Sequence, residues 1–393
     1  MPNRPASLKN HYLCAMKAVL NYLFFAVILL CVNACSSGQK NDDAKPGNAE
    51  LLHHAECFTI THYDNYTRIA VINPWASGQV LREYLLSSEP IEPDVSHTDK
   101  TVYIKTPLKS VAVLGVVHAG MLEILDAESQ VTGVADTQYM NFSFIKNGIQ
   151  NGSISDLGQS SQLNIERLIE TAPEALIVTT FPKSGYGKLE KSGIPLIECV
   201  EYMENTPLGR AEWIKFIGAF IGKSREADSI YTAIERNYLE AKKIAEKVSY
   251  RPSVFSEKKY RGIWNVPGGR SYMAVFFHDA GADYLWKEDS LTGSLALPFE
   301  EVYDKAENAD YWFIKYNKPE SSLTYGELRS EYEPYSLFDA WRDRKIVGCN
   351  TDKSPYYEQG IMQPDLILKD MINIFHPGLA GDHRNVYFHL LPE

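Results

Sequence analysis

The stretch LNIERLIETAPEALIV at residues 163–178 decides the fold of this chain, because a short helix with an early glutamate leads through a Pro-acid pair into an apolar strand. A similar order recurs in PFEEVYDKAENADYWFI at residues 298–314, with about two extra residues before the strand. In both copies the glutamate, Glu166 or Glu300, has an apolar pair two and three positions later and an alanine six positions later. A pattern that is repeated this far apart predicts two similar lobes, and two-lobed chains commonly hold a ligand between them.

Strands alternate with helices around both copies. The predicted strands lie at residues 111–117, 131–134, 175–178 and 195–199 in the first region and at residues 253–255, 311–314 and 345–347 in the second. Such alternation is typical of parallel βαβ units. Each region is therefore expected to be a Rossmann-like α/β lobe with a central parallel sheet, and residues 365–375 predict a closing helix.

One long helix is predicted between these regions. Ser224 is a plausible N-cap, and apolar residues repeat at steps of three or four up to Arg251-Pro252. At 1.5 Å per residue the helix would be about 36 Å long, enough to span one lobe and enter another.

The N-terminus predicts export. Lys17 precedes a short apolar run, and Val32-Asn33-Ala34-Cys35 resembles a bacterial lipobox, so Cys35 is the expected lipidated residue and Met16 the expected start. The apolar run is too short and wrongly flanked for a transmembrane helix. Residues 36–55 have the composition of a flexible tether, and residues 56–105 alternate polar and apolar, as antiparallel strands do.

These patterns give a domain organisation. The predicted segments are a signal peptide with lipobox at 1–35, a tether at 36–55, a strand-rich extension at 56–106, an N-terminal α/β lobe at 107–222, a connecting helix at 223–250 and a C-terminal α/β lobe at 251–393.

Charge and cysteine usage exclude several classes of function. The net charge of −11 becomes −14 when the first 34 residues, which hold three cations and no acid, are removed. An acidic surface of this kind disfavours nucleic acid and anionic lipid as partners. Beyond Cys35 the cysteines are Cys57, Cys199 and Cys349, whose spacing gives neither a disulfide framework nor a metal site, so no metal or cofactor is predicted.

Aromatic residues predict a binding site where catalytic motifs are missing. The sequence contains no G-x-S-x-G, H-E-x-x-H, P-loop or G-x-G-x-x-G motif, whereas it has 24 tyrosines and 6 tryptophans. Several of these lie at inferred strand ends, where open α/β sheets bind ligands. Such side chains suit a large, flat, partly anionic ligand. The candidate cleft residues are His118, Tyr139, Trp264, Arg270, Tyr272, Tyr356 and Tyr357.

From residue 107 to about residue 380 the chain resembles the substrate-binding proteins of bacterial ABC importers, in the class whose two α/β lobes are joined by one long helix. The matching motifs, besides residues 163–166 and the helix after Ser224, are PLKSVAVL at 107–114, DLG at 156–158, PEALI at 173–177, GA at 281–282, FEEV at 299–302 and HP at 376–377. Residues 207–213 and Trp264-x-x-Pro-Gly-Gly resemble the variety found in Bacteroides-type bacteria.

The resemblance implies roles for particular residues. In that family one glutamate on each lobe forms a salt bridge with arginines of the permease, and these positions match Glu166 and Glu300, with Glu301 beside the second. His118 and Tyr139 fall where cobalamin and chelate binders place ligand contacts. Residues 159–161 replace the tryptophan that cobalamin binders place before the first-lobe glutamate motif, so the chain departs from the cobalamin pattern there.

Three hypotheses follow for function. The first is a lipid-anchored, monomeric binding protein that captures a ferric siderophore or haem between its lobes and delivers it to an ABC permease. The second changes the ligand to cobalamin or another corrinoid. The third is a lipoprotein enzyme acting on chelates, with His118 or His278 as general base.

Overall fold

The computed structural model describes residues 47–91, 95, 97–183 and 185–392. The predicted signal peptide, Cys35 and the tether up to residue 46 therefore lie outside the described residues. Within the described part of the chain, no helix is long and apolar enough to cross a membrane.

The strand-rich extension forms a sheet of its own. Its strands are β1 (Asn48–Ala49), β2 (Phe58–His62), β3 (Thr67–Ile72), β4 (Val80–Ser87) and β5 (Thr101–Lys105), in that spatial order. The first three pairs are antiparallel, as predicted, whereas β5 runs parallel to β4. The connection between β4 and β5, residues 88–100, is long enough for the crossover that a parallel pair needs.

The first lobe is built on a parallel sheet. Its strands are β6 (Val111–Val113), β7 (Val131–Val134), β8 (Ser155–Asp156), β11 (Ala175–Thr179) and β12 (Leu196–Cys199), in the order β12-β11-β6-β7-β8, and a small hairpin joins β9 (Gly158–Gln159) to β10 (Gln162–Leu163). Its helices are α1 (Val116–Ile124), α2 (Ser143–Asn151), α3 (Ile165–Thr171) and α4 (Pro207–Ile221). Every pair in the five-stranded sheet is parallel, which confirms the predicted fold class for this half.

Two predicted boundaries in this lobe were wrong. The apolar run 111–117 is not one strand, because β6 ends at Val113 and α1 begins at Val116. A short apolar run fits a buried strand and a buried helix equally well, so its hydrophobicity did not reveal the turn. Before β12, a 3-10 turn at Leu189–Lys191 takes the place of the expected helix.

The long helix α5 spans Ser224–Ala245, 22 residues, or about 33 Å. Ser224 is its first helical residue, while Lys223 is the N-cap and offers no side-chain hydrogen bond, so the predicted serine cap is absent. The helix ends before the expected Arg251-Pro252 stop. Its buried stripe consists of Ala227, Tyr231, Ile234, Tyr238, Ala241 and Ala245.

The second lobe is also built on a mostly parallel five-stranded sheet. Its main sheet contains β13 (Ser253–Ser256), β16 (Asp283–Tyr284), β18 (Tyr311–Tyr316), β19 (Ile346–Asn350) and β20 (His389–Leu390) in the order β16-β13-β18-β19-β20, and a small antiparallel sheet contains β14 (Lys259–Tyr260), β15 (Ile263–Pro267) and β17 (Ser294–Leu297). Its helices are α6 (Tyr272–Asp279), α7 (Phe299–Ala306), α8 (Tyr325–Glu331), α9 (Asp339–Arg342) and α10 (Pro364–Phe375). Only β20 runs antiparallel in the main sheet.

Helix α5 connects the two lobes by packing on α4 of the first and on α10 of the second. One continuous hydrophobic core includes side chains from the extension, from both lobes and from α5. Because the core runs without interruption through α5, large separation of the lobes would expose apolar surface.

Buried glutamates fasten the extension to the first lobe. The Glu212 carboxylate on α4 accepts hydrogen bonds from the backbone N–H groups of His53, His54 and Ala55 at 2.8–2.9 Å. Glu204 accepts from the backbone N–H of Cys57 at 2.9 Å and from the indole of Trp213 at 3.0 Å. Buried carboxylates are stabilised when backbone donors surround them, so these contacts fix the extension in place.

Candidate ligand-binding cleft

A cavity of about 80 Å³ lies between the two lobes. It is lined by Val117, Pro207, Arg210, Tyr272, Phe276, Tyr356, Tyr357, Gly360, Ile361, Pro364 and Ile367. The first lobe supplies α1 and α4, while the second supplies α6, the loop after β19 and the start of α10. Apolar walls with a few convergent polar groups are typical of small-molecule sites.

Arg210 and Tyr272, the two central side chains of the cavity, lie in the first turns of helices whose N-termini are capped. Thr206 caps α4 by accepting from the N–H of Gly209, and Arg210 follows in the next position. Ser271 caps α6 by accepting from the N–H of Ala274, and Tyr272 is the first residue of that helix. In front of this cap, a Cβ at Gly268 would overlap the carbonyl of Leu291, so the turn requires a glycine there.

Arg210 forms no salt bridge with any carboxylate of the residues that the structure describes. Its Cζ lies 4.2 Å from the centre of the Tyr272 ring, so the guanidinium of the first lobe stacks on an aromatic ring of the second. Its Nε is buried and has no hydrogen-bond partner among the described residues. A half-buried cation in this state is set to pair with an anion that enters the cavity.

Two cations, Arg210 and Lys315, act on the phenol of Tyr272. Burial alone would raise the pKa of Tyr272, but the cations of Arg210 and Lys315 outweigh it and lower the pKa below the usual 10. Burial likewise lowers the pKa of Lys315, but its salt bridge with Glu257 raises the pKa overall. Burial and the neighbouring Tyr272 raise the pKa of Tyr356. A site that favours a phenolate at Tyr272 also favours an anionic oxygen of a ligand.

The loop after β19 closes one side of the cavity against the first lobe. A Cβ at Gly120 of α1 would overlap the carbonyl oxygen of Glu358, so the two backbones touch there. Glu358 is buried, which raises its pKa, and Asn141 of the first lobe partly offsets that rise. Burial also raises the pKa of Glu123 on α1, and Gln359 of the loop partly offsets it. These contacts hold the lobes close together in this conformation.

Behind the cavity wall of the first lobe lies a buried polar pair. His118 Nε2 is 3.2 Å from Glu201 Oε2, and both side chains are almost fully inaccessible. Burial alone would raise the pKa of Glu201, but His118 and, at longer range, Arg210 lower it. Cys199 lies beside this pair, and the three residues form the group of potential metal ligands found in the described part of the chain.

The structure separates six of the seven predicted cleft residues into three sets. Tyr272, Tyr356 and Tyr357 line the cavity. His118 lies behind the wall, where its neighbour Val117 faces the cavity. The side chains of Tyr139 and Arg270 are exposed and do not line it.

The expectation that Trp264 contacts a ligand is wrong for this conformation. Its side chain is fully buried, its Nε1 donates to the carbonyl of Ser256 at 3.0 Å, and its ring packs against Phe255, Trp312 and Phe338. Side chains of a strand alternate between its two faces, so a tryptophan in a short strand can face the cleft or the core. In β15 the side chain of Trp264 lies on the face that packs into the core.

Glu166 and Glu300 occupy equivalent places in the two lobes. Each is the second residue of its helix, α3 or α7, and each is exposed. Glu301 beside Glu300 is exposed as well. Neither Glu166 nor Glu300 forms a salt bridge within the described residues, so both carboxylates face solvent.

Arg210 lines the cavity but was not among the cleft residues predicted from the sequence. A signal was present, since α4 is otherwise mostly apolar and buried on all sides. Charged residues on such a helix need partners. Glu212 binds the extension and Lys215 pairs with Glu212 and Asp228, which leaves Arg210 without a carboxylate.

Comparisons with known proteins agree with this architecture. Residues 111–353 match the family described as "Periplasmic binding protein". An uncharacterized lipoprotein of Methanocaldococcus jannaschii is 27% identical over 371 residues, which cover 86% of this chain and 85% of that protein.

Solved structures share the fold. The haem-binding protein RhuT of Roseiflexus sp. RS-1 matches with a TM-score of 0.54 and 17% identity, over 69% of this chain and 99% of its own. The haem-binding protein HutB of Vibrio cholerae matches with a TM-score of 0.54 and 16% identity, over 68% of this chain and 100% of its own. At these identities the likeness concerns the fold, and it confirms the predicted pair of α/β lobes.

Proposed function

Because the chain belongs to the periplasmic binding protein family, whose members are binding proteins and not enzymes, we propose that it captures an anionic iron chelate between its lobes. The cargo is a ferric siderophore or haem, and it is delivered to a membrane permease. The observation that carries this proposal is Arg210, a half-buried guanidinium in the cavity with no carboxylate partner among the described residues.

The chemistry of the cavity supports an anionic, aromatic or planar cargo. Arg210 and Lys315 supply positive charge, and the carboxylates of haem or the oxygen donors of a siderophore are complementary to it. Tyr272, Tyr356 and Tyr357 offer ring faces and hydroxyl groups. The haem-binding neighbours RhuT and HutB support the same cargo class.

A corrinoid is the second candidate. Residues 159–161 lack the tryptophan expected of cobalamin binders, and a guanidinium that forms no salt bridge with the described residues favours a cargo with negative charge. The chelate therefore ranks first.

Capture requires the lobes to move apart slightly. The cavity of about 80 Å³ is smaller than the roughly 300–1,000 Å³ of typical small-molecule sites. The cargo enters as the loop carrying Tyr356 and Tyr357 separates from α1, while α5 limits the opening.

The test is a titration of residues 36–393 with haem, ferric siderophores and cobalamin, followed by absorbance and tryptophan quenching. We expect one chelate to bind one-to-one with micromolar or lower Kd, and Arg210→Gln to weaken it about 10- to 100-fold through the loss of a charge-assisted contact. Arg329→Gln, at an exposed position on α8, is the matched control and should leave Kd within twofold. No binding across the panel, or an unchanged Kd in Arg210→Gln, would contradict the proposal.

We further propose that Glu166 and Glu300 dock the permease and that Cys35 carries a lipid anchor. The two glutamates are exposed at equivalent helix starts, one on each lobe, as a two-point clamp requires. Reversing both charges to lysine should abolish stimulation of the reconstituted transporter while Kd for cargo stays within about twofold. Loss of cargo binding in that variant would refute the docking role.

A further inference from the structure

Three side chains that can ligate a metal converge inside the first lobe. His118 lies on α1, Cys199 ends β12, and Glu201 begins the 3-10 turn that follows. One potential ligand atom from each lies within 4.8 Å of the other two. Their exposed fractions are 1%, 0% and 3%, so the cluster is enclosed by protein.

This cluster is buried, but its polar atoms form fewer hydrogen bonds than buried polar atoms usually do. His118 Nε2 is 3.2 Å from Glu201 Oε2, but the second ring nitrogen, Nδ1, is buried and has no partner among the described residues. Among the described residues, the Cys199 thiol has one hydrogen-bond contact, a long one of 3.9 Å to the carbonyl of Ile197. Buried polar groups are ordinarily paired, so a cluster with an unpartnered imidazole nitrogen calls for a further binding partner.

We propose that His118, Cys199 and Glu201 bind a divalent cation, with Zn²⁺ as the best match. A nitrogen, a thiolate sulfur and a carboxylate oxygen form a donor set that Zn²⁺ prefers. With zinc bonds of about 2.0–2.3 Å, tetrahedral ligand atoms lie about 3.3–3.7 Å apart. The candidate ligand atoms all lie within 4.8 Å of one another, so each pair needs to close by at most about 1.5 Å to reach such an edge.

Three protein ligands leave the fourth tetrahedral position for a water molecule. The proton of Cys199 leaves as the thiolate–metal bond forms, and the two anionic ligands balance the charge of the ion. The ion would tie the start of α1 to the end of β12, directly behind the wall where Val117 faces the cavity. All three ligands belong to the first lobe, so the inference is independent of the cargo.

The test uses the full chain in detergent, without a polyhistidine tag and after treatment with a chelator. Titration with Co²⁺ should give one equivalent of bound metal and a thiolate-to-cobalt charge-transfer band, which Zn²⁺ then removes. Cys199→Ser should lose the band, and His118→Gln should weaken Co²⁺ binding at least about 10-fold.

Matched controls come from the chain itself. Cys57→Ser and Cys349→Ser alter the other buried free cysteines and should keep the band. His53 and His54, which both contact Glu235, form a second group that could attract metal, but they contribute no sulfur and cannot produce the thiolate band.

If the Cys199→Ser variant does not fold, measurements on the wild type test the proposed metal site. Zn²⁺ should raise the Tm of the chelator-treated wild type by a few degrees, because a ligand that binds only the folded state stabilises it. A wild type without a charge-transfer band, or a band that survives in Cys199→Ser, would overturn the proposal. Failure of the cargo titration would leave these readouts unaffected, so the two proposals fail separately.

Discussion

At the scale of single residues, the main contact across the cavity is between a cation of one lobe and an aromatic ring of the other. Arg210 of the first lobe stacks on Tyr272 of the second, and Lys315 adds a second cation near the same phenol. The aromatic candidates Tyr272, Tyr356 and Tyr357 could be predicted because they lie near inferred strand ends. Arg210 was not predicted: its charge on the mostly apolar helix α4 indicated that it needs a partner, but only the folded chain shows which carboxylates it does not meet.

The lowered pKa of Tyr272 predicts a pH dependence. As the pH rises through this pKa towards 10, the phenolate forms and offsets the charges of Arg210 and Lys315, so affinity for an anionic cargo should fall. A group with a depressed folded pKa adds stability that is present above its unfolded pKa and lost as the pH falls through the folded one. As the pH rises past the pKa of Tyr272 in the folded protein, the affinity for an anionic cargo therefore falls while the contribution of Tyr272 to folding stability increases.

Affinity for the chelate measured between neutral pH and pH 10 checks this prediction. Tyr272→Phe should remove the alkaline decline, whereas the exposed Tyr139→Phe should retain it. An identical pH profile in Tyr272→Phe would assign the decline to another group.

At the scale of elements, α4 joins the extension, the first lobe and the cavity. Its Glu212 binds three backbone N–H groups of residues 53–55, and its Arg210 faces the cleft. The sequence predicted the central strands of both lobes from their apolar runs, and it predicted α5 from its long apolar period. It misplaced the end of β6 and the direction of β5, since neither a short apolar run nor local alternation specifies partners.

Glu212→Ala should destabilise the protein by about 3–5 kcal/mol, because buried donors and Lys215 lose their acceptor. Denaturant unfolding measures the change, and protease should cut before residue 56 sooner than in the wild type. Glu240→Ala, at an exposed position on α5, is the control and should change stability by less than about 0.5 kcal/mol. Equal stabilities of the two variants would show that the carboxylate does not fasten the extension.

At the scale of the whole molecule, α5 and the continuous core restrain the lobes while the loop after β19 seals them together. The seal depends on Gly120, where the backbone of α1 meets the carbonyl of Glu358. A glycine inside a helix is normally less favourable than alanine by about 1 kcal/mol, so its presence reflects this close approach.

Gly120→Ala should force the lobes apart and destabilise the cargo-free protein by about 1–3 kcal/mol, as overpacking does. Small-angle scattering should show a larger radius of gyration without cargo. Gly326→Ala, in α8 with open space around it, is the control and should leave the radius unchanged and the stability equal or slightly higher. A more stable and equally compact Gly120→Ala would contradict the proposed seal.

The sequence by itself determined the family, the two parallel α/β lobes and the long helix between them. Those features follow from hydrophobic periods, helix starts and motif order, which are local properties of the chain. Only the tertiary structure decided that Arg210 meets Tyr272, that Trp264 lies in the core and that His118, Cys199 and Glu201 converge. Arg210 and Tyr272 are 62 residues apart, and His118 is 81 and 83 residues away from Cys199 and Glu201. Contacts at such separations are set by how sheets and helices pack, which the local pattern of residues does not encode.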